Sequence, residues 1–213
     1  GVTRGIFITF EGGEGAGKST QIRRLADRLR AGARDVVLTR EPGGSPGAES
    51  IRELLLNGET DRWSPLTEAL LMNAARRDHI ERVIAPALAR GAVVLCDRFA
   101  DSTRAYQGAG GAVDRVVIAQ LEAAVVGEVR PDLTLIFDLP VAEGLRRALS
   151  RNGGEERFEA KGAAFHERLR AAYLEIAEAE PERCVLIDAT ATLDAVEAAV
   201  AAAVEPRLER RHG

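Results

Sequence analysis

Residues 12–19 read Gly-Gly-Glu-Gly-Ala-Gly-Lys-Ser and fit the phosphate-loop pattern G-x-x-x-x-G-K-[ST] at every position. Binding a polyphosphate is the chemistry that this spacing serves. Gly12, Gly13, Gly15 and Gly17, with Glu14 and Ala16 among them, let successive backbone N–H groups curl around phosphate oxygens. A helix that starts at the loop adds the partial positive charge of its N-terminus. Lys18 can reach the β- and γ-phosphates of ATP, and Ser19, with Thr20 beside it, can bind Mg²⁺. Both flanks suit the motif. Residues 5–11 are a β-branched and aromatic run, and residues 20–29 carry apolar side chains at helical spacing.

Further reactive residues recur at regular places. Thr-Arg-Glu-Pro-Gly-Gly at 39–44 and Asp-Arg-Phe at 97–99 each put an arginine just after an apolar run. Arg40 and Arg98 could clamp a second phosphate opposite the γ-phosphate of ATP. Either arginine alone also fits a surface ion pair, Arg40 with Glu41 or Arg98 with Asp101. Asp97 closes the run Val-Val-Leu-Cys, the usual place for the acid that holds Mg²⁺ in phosphate-loop enzymes. Met72 and Arg76 are four apart on a helical stretch, so they share a face that could grip a nucleobase. From spacing alone, a core methionine beside a surface arginine fits better. Residues 102–108, Ser-Thr-Arg-Ala-Tyr-Gln-Gly, crowd hydrogen-bonding groups behind Asp97 and Arg98; a capped helix with a polar face is the plainer reading.

The elements that must position these residues alternate. Strand-like runs fall at 5–11, 35–39, 92–97, 133–138 and 184–188. Helical patterns fall at 19–30, 48–56, 65–89, 113–126, 141–150, 165–179 and 193–208. Such alternation predicts an α/β fold, a five-stranded parallel sheet with helices on both faces. The runs end in Glu11, Arg40, Asp97, Asp138 and Asp188, at the carboxyl edge where open α/β sheets bind ligands. Residues 151–157 are polar, charged and glycine-bearing between two helices, which suits a surface loop or a lid.

The chain's 213 residues, 46% of them hydrophobic, suffice for one domain with a complete core. A net charge of -4 with no basic stripe argues against nucleic acid as a partner. Anionic substrates must therefore be drawn in by a local arginine cluster. Cys96 and Cys184 each sit in an apolar run and read as buried thiols. With no membrane-length apolar stretch and no signal segment, the expectation is a cytoplasmic protein that has no membrane partner. The sequence has no Asn-Lys-x-Asp and no Asp-x-x-Gly, which disfavours a GTP-binding switch.

Taken together and in this order, the motifs at 11–19, 39–44, 97–98 and 102–108, with Arg-Pro-Asp-Leu-Thr at 130–134, resemble the bacterial thymidylate kinases (dTMP kinases). The resemblance runs from Ile6 to about Val204. It implies a phosphate-loop nucleoside monophosphate kinase architecture over 1–213, with a lid at about 151–158. It also implies a Mg²⁺-dependent transfer of the ATP γ-phosphoryl to dTMP, giving dTDP for dTTP synthesis, by a homodimer. On this resemblance Arg40 and Arg98 bind the dTMP phosphate, and Glu14 lies near the nucleotide 3′-hydroxyl. Arg76, Thr103 and the neighbouring Gln107 serve the thymine side, Tyr106 packs on the sugar, and Arg147 lies over adenine. Arg151 and Arg157 of the lid join Lys18 and Arg98 as catalytic cations, because no position of the phosphate loop between Gly12 and Gly17 is basic. Met72 stands where the family usually has a stacking phenylalanine. Arg104 replaces a glutamine, which puts the contacts around the base edge in question.

Overall fold

The computed structural model describes residues 3–150 and 155–210, with the side chains of 155–161 left aside. Its five strands are β1 (Ile6–Gly12), β2 (Val36–Arg40), β3 (Val93–Asp97), β4 (Leu133–Asp138) and β5 (Cys184–Asp188). They form one sheet in the order β2-β3-β1-β4-β5, parallel at every pairing. The register sets Arg40 and Phe10 on either side of Asp97, and pairs Gly12 with Phe137 and Asp138 with Asp188. The charged strand ends therefore share one edge, as the alternating pattern predicts.

Side chains alternate along each strand, and this sorts them between two helical layers. Ile6, Ile8 and Phe10 of β1, with Val93 and Leu95 of β3, pack beneath α1 (Lys18–Ala31) and α9 (Leu193–Glu209) through Ile22, Leu25, Val200 and Val204. Phe7, Val94 and Cys96 face the other way, against Ile80, Ile84, Leu88 and Phe99. Ile136 meets Leu169, Tyr173 and Ile176 of α8 (Glu155–Ala179). The central strands β1, β3 and β4 are buried on both faces and read as near-continuous apolar runs, whereas the edge strands β2 and β5 are partly exposed.

The remaining helices are α2 (Pro46–Leu56), α3 (Pro65–His79), α4 (Ala85–Ala89), α5 (Ala100–Thr103), α6 (Arg115–Val126) and α7 (Val141–Leu149). The helix expected over 65–89 is interrupted. A π-helical turn, Ile80–Ile84, separates α3 from α4. Pro86 lacks the N–H that an α-helix would give to Arg82, and the wider turn carries the chain past it. A second π-helical segment, Arg104–Gly110, continues α5. Within α8 the helical path breaks at Gly162 (φ 77°), so the pattern expected from residue 165 onward is the part beyond that kink. Among the described residues no helix is long and apolar enough to cross a membrane.

Candidate active site

The phosphate loop leaves β1 and enters α1 at Gly17, the N-cap, whose φ of 76° is a left-handed conformation that glycine adopts without steric cost. A groove there is lined by Gly13, Glu14, Gly15, Ala16, Gly17, Lys18, Ser19, Thr20, Asp97 and Arg98. Lys18 is buried, and its Nζ donates to Asp97 Oδ1 at 3.1 Å. Burial, reinforced by Arg98, pulls the Lys18 ammonium down to about 8, although Asp97 and Glu11 hold it up. Ser19 is exposed on the first turn of α1 and, like Asp97, lines this groove and the neighbouring one. Hydroxyl and carboxylate oxygens so placed are the hard donors that suit Mg²⁺. Arg147 of α7 braces the loop from outside, donating to Gly15 O at 3.3 Å and to Ala189 O at 3.0 Å.

A second pocket adjoins the first. Glu14, Glu41, Pro42, Met72, Arg76, Arg98, Phe99, Ser102, Thr103, Tyr106 and Gln107 line it, so Glu14 and Arg98 border both cavities. Met72 and Arg76 do share a face of α3, as their spacing requires. Arg76 is no surface residue. It is 2% exposed, and its Nε donates to Glu41 Oε1 at 2.6 Å, its Nη1 to Thr103 Oγ1 and its Nη2 to Phe99 O, both at 3.2 Å. Gln107 is buried and donates to Glu68 at 3.4 Å. The Arg98 guanidinium lies over the Tyr106 ring, 5.0 Å from its centroid, and donates to Ser102 Oγ at 3.3 Å.

Strand alternation separates Arg40 from this pocket. Arg40 follows Val36 and Leu38 onto the α1 face, while Glu41 follows Val37 and Thr39 onto the opposite one. Arg40 lines an open groove with Ser19, Ile22, Arg23 and Asp97, and pairs with Glu49 at 3.3 Å. Neither ion pair weighed from the sequence forms. Glu41 pairs instead with Arg76 and is hydrogen-bonded to His79, and Asp101 pairs with Arg183 and Arg104. Arg104 turns away from the base pocket, which it does not line, to Glu122 at 2.5 Å and Glu180 at 2.9 Å. Of the segment expected as a lid, about 151–158, Arg151 and the Arg157 side chain lie outside the described residues, and from Glu155 the backbone is already helical as the start of α8.

Two buried residues to which the sequence assigns no specific role also support the site. Glu11, at the end of β1, accepts from Phe99 N and Ser102 Oγ at 2.6 Å each and from Tyr173 Oη at 3.2 Å. It thereby holds the turn that carries Arg98, whose φ of 69° is strained for a residue with a Cβ. Burial, helped by Asp101, pushes the Glu11 carboxyl up to about 7, against the Ser102 hydrogen bond, Lys18 and Arg98. Its charged strand-end position was the signal for it. Glu41 is the other; the alternation along β2 was the signal there.

Comparison with known proteins agrees with this geometry. The family model described as Thymidylate kinase matches residues 10–200. The thymidylate kinase of Caulobacter vibrioides is 72% identical over 207 residues, 97% of this chain and 99% of that one. That of Rhodopseudomonas palustris is 57% identical over 209 residues, 97% of this chain and 91% of that one. Among solved structures, thymidylate kinase from Ehrlichia chaffeensis is similar at a TM-score of 0.71 and 39% identity, covering 86% of this chain and 93% of that chain.

Proposed function

The chain belongs to the thymidylate kinase family and moves the γ-phosphoryl of ATP to dTMP, giving dTDP and ADP; we propose that the two adjoining cavities divide that task, with Arg98 and Glu14 at their junction. That junction carries the reading. ATP phosphates lie in the cradle of residues 12–20, and the monophosphate lies in the pocket of Met72, Arg76, Thr103, Tyr106 and Gln107. The acceptor is already a phosphate oxygen, so no strong general base is needed. The protein brings two polyanions into line and spreads the charge of the transferring group. Lys18 and Arg98 supply fixed positive charge on that path. Ser19 and Asp97 would hold Mg²⁺, which neutralises phosphate charge when bound. Arg147 supports the adenine side from its place on α7, against the loop. In this division Arg40 steers the acceptor phosphate from the neighbouring groove. The lid arginines Arg151 and Arg157 remain candidates for charge stabilisation on the resemblance alone.

The same reading extends to assembly. Leu54, Leu56, Leu66, Leu70 and Val116 are exposed on α2, α3 and α6, and α3 packs on both of the other helices. A second copy of the chain would cover such a face in a homodimer. Free, buried Cys96 and Cys184 suit a reducing cytoplasm. The test of the reaction is a coupled ADP-release assay across dTMP, dUMP, CMP, UMP, AMP and GMP. dTMP should be the preferred acceptor, and an equal preference for a purine monophosphate would sink the pocket assignment. Light scattering on the wild type and Leu70→Asp tests the dimer; a wild-type monomer would remove it.

A further inference from the structure

Behind Arg76 runs a buried line of side chains to which phosphoryl transfer assigns no task. Glu41 divides its two oxygens: Oε1 takes Arg76 Nε at 2.6 Å, and Oε2 takes His79 Nδ1 at 2.7 Å. His79 Nε2 lies 2.7 Å from Thr39 Oγ1. A carboxylate only accepts, so the ring proton sits on Nδ1, and in the neutral ring Nε2 accepts the Thr39 hydroxyl. His79 is fully buried, and Glu41 and Arg76 are nearly so. The elements explain the meeting. Thr39 and Glu41 are alternate residues on one face of the β2 segment, and Arg76 and His79 lie three apart on α3.

The line also accounts for the second glycine of the Glu-Pro-Gly-Gly motif. A Cβ on Gly44 would stand 2.3 Å from His79 Nε2 and 2.7 Å from Thr39 Oγ1. Metal binding is the competing use, since Glu41, His79 and Cys96 bring their ligand atoms within 4.8 Å of one another. Each of those groups is already committed. Both Glu41 oxygens and both His79 nitrogens are hydrogen-bonded, Cys96 Sγ donates to Arg98 O at 3.1 Å, and Arg76 balances the carboxylate.

We propose that His79 is a positioning residue for the acceptor: through Glu41 it fixes the plane of the Arg76 guanidinium against the base of the bound monophosphate. The proposal rests on the reading of Arg76 as a base-contacting residue. Three of five guanidinium N–H groups are held by Glu41, Thr103 and Phe99, which leaves two for a ligand in a single plane. Without His79, one buried oxygen of Glu41 loses its donor, and the carboxylate is free to turn toward Arg76 and rotate it.

Two substitutions separate orientation from mere packing. Asparagine at 79 keeps an N–H near the place of Nδ1, whereas glutamine reaches the place of Nε2. His79→Gln should raise KM for dTMP roughly tenfold, with KM for ATP changed by less than about twofold, and His79→Asn should recover most of the loss. Thr39→Val, a milder change, should move KM for dTMP the same way by less. Arg76→Lys, which cannot form the fork, should raise it as well. Equal effects of Gln and Asn, or a parallel rise in both KM values in a folded enzyme, would overturn the proposal. If His79→Gln does not fold, an unchanged KM for dTMP in folded Thr39→Val overturns it. If Arg76→Lys raises KM for dTMP while the His79 and Thr39 variants leave it alone, only the positioning role is lost. If Arg76→Lys changes nothing, the base-contact reading falls with it.

Discussion

Lys18 Nζ and Asp97 Oδ1 stand 3.1 Å apart, joining the phosphate loop to the end of β3 across the carboxyl edge of the sheet. On the proposed division of the site, the pair ties the cation for the ATP phosphates to the acid that would hold Mg²⁺. Its consequence is a titration. Burial first, then Arg98, lowers Lys18 to about 8 from 10.5. Above pH 8 the folded enzyme therefore loses a charge that ATP requires. kcat/KM for ATP should fall between pH 8 and 9.5, while kcat, which reports the ATP-bound state, should fall less. Nucleotide phosphates are already fully ionised in that range, with second ionisations near ~6. Stability moves the other way. The unfolded chain keeps the Lys18 proton up to 10.5, so the cost of burying the charge is relieved as pH rises from 8 toward 10.5. Lys18→Arg, weaker throughout, should lack the decline in kcat/KM. A wild-type profile flat to pH 9.5 would remove Lys18 from the phosphate site.

Glu11 titrates in the opposite sense. Its carboxyl, ordinarily near 4.5, is raised to about 7, mainly by burial and then by Asp101. Between those values the folded protein holds a proton that the unfolded chain has lost. Stability should therefore decline as pH rises from 4.5 to 7, and above 7 the full cost of the buried charge remains. The effect is on the order of 3 kcal/mol. Glu11→Gln can still accept from Phe99 N and donate toward Ser102 and Tyr173, yet it cannot ionise. Urea unfolding at pH 5 and pH 7.5 should show the decline in the wild type and a flatter response in the variant. Identical pH dependence in the two proteins would mean that Glu11 is ionised throughout.

Most of the fold was legible because α/β alternation leaves a period in the chain. Each expected strand run and helix has its counterpart among the described residues; the departures are the π turns at Ile80–Ile84 and Arg104–Gly110 and the start of α8 at Glu155, before its break at Gly162. The cradle of residues 12–20 was legible too, because a contiguous motif carries its own geometry. What a motif does not carry is the face of the sheet on which each side chain emerges. Arg40 and Glu41 are adjacent in the chain and fall on opposite faces, so the conspicuous arginine lies in the outer groove and the acid beside it lines the pocket of Met72 and Arg76. The roles of His79 and Tyr173 depend on contacts 38 and 162 residues away along the chain, which no local pattern encodes.

Arg104, where the resemblance implies a glutamine, is engaged away from the pocket. It binds Glu122 through two nitrogens and reaches Glu180 and Asp101, joining the π segment to α6, to α5 and to the residue just after α8. Arg104→Gln restores the glutamine expected of relatives. It should destabilise this chain by about 1–3 kcal/mol, because Glu122, which is largely buried, loses its cation. KM for dTMP should stay within about twofold, since Arg104 does not line the acceptor pocket. Thermal unfolding and steady-state kinetics on one preparation check both halves. A large rise in KM with unchanged stability would put Arg104 back at the base edge.

The two arginines at the strand ends should differ in kind. Arg98 borders both cavities and is held by Ser102 Oγ, by Tyr173 Oη at 3.4 Å and by the face of Tyr106. On the proposed division, a charge fixed there would meet the acceptor phosphate and also the charge that develops as the phosphoryl moves. Arg98→Ala should therefore lower kcat by about 10²–10³, the loss typical of removing one preorganised donor, and raise KM for dTMP as well. Arg40 is exposed, paired with Glu49 and set in the outer groove. Solvent screens it, so Arg40→Ala should change kcat/KM for dTMP by no more than about tenfold, chiefly through KM. Added salt sharpens the contrast: raising ionic strength should shrink the Arg40→Ala effect and leave that of Arg98→Ala nearly constant, because the screened charge sits outside the pocket and the other within it. Initial rates with dTMP varied at saturating ATP, at low and high salt, give both numbers. If Arg40→Ala costs as much in kcat as Arg98→Ala, the acceptor phosphate lies in the outer groove, and the division of labour between the two cavities is wrong.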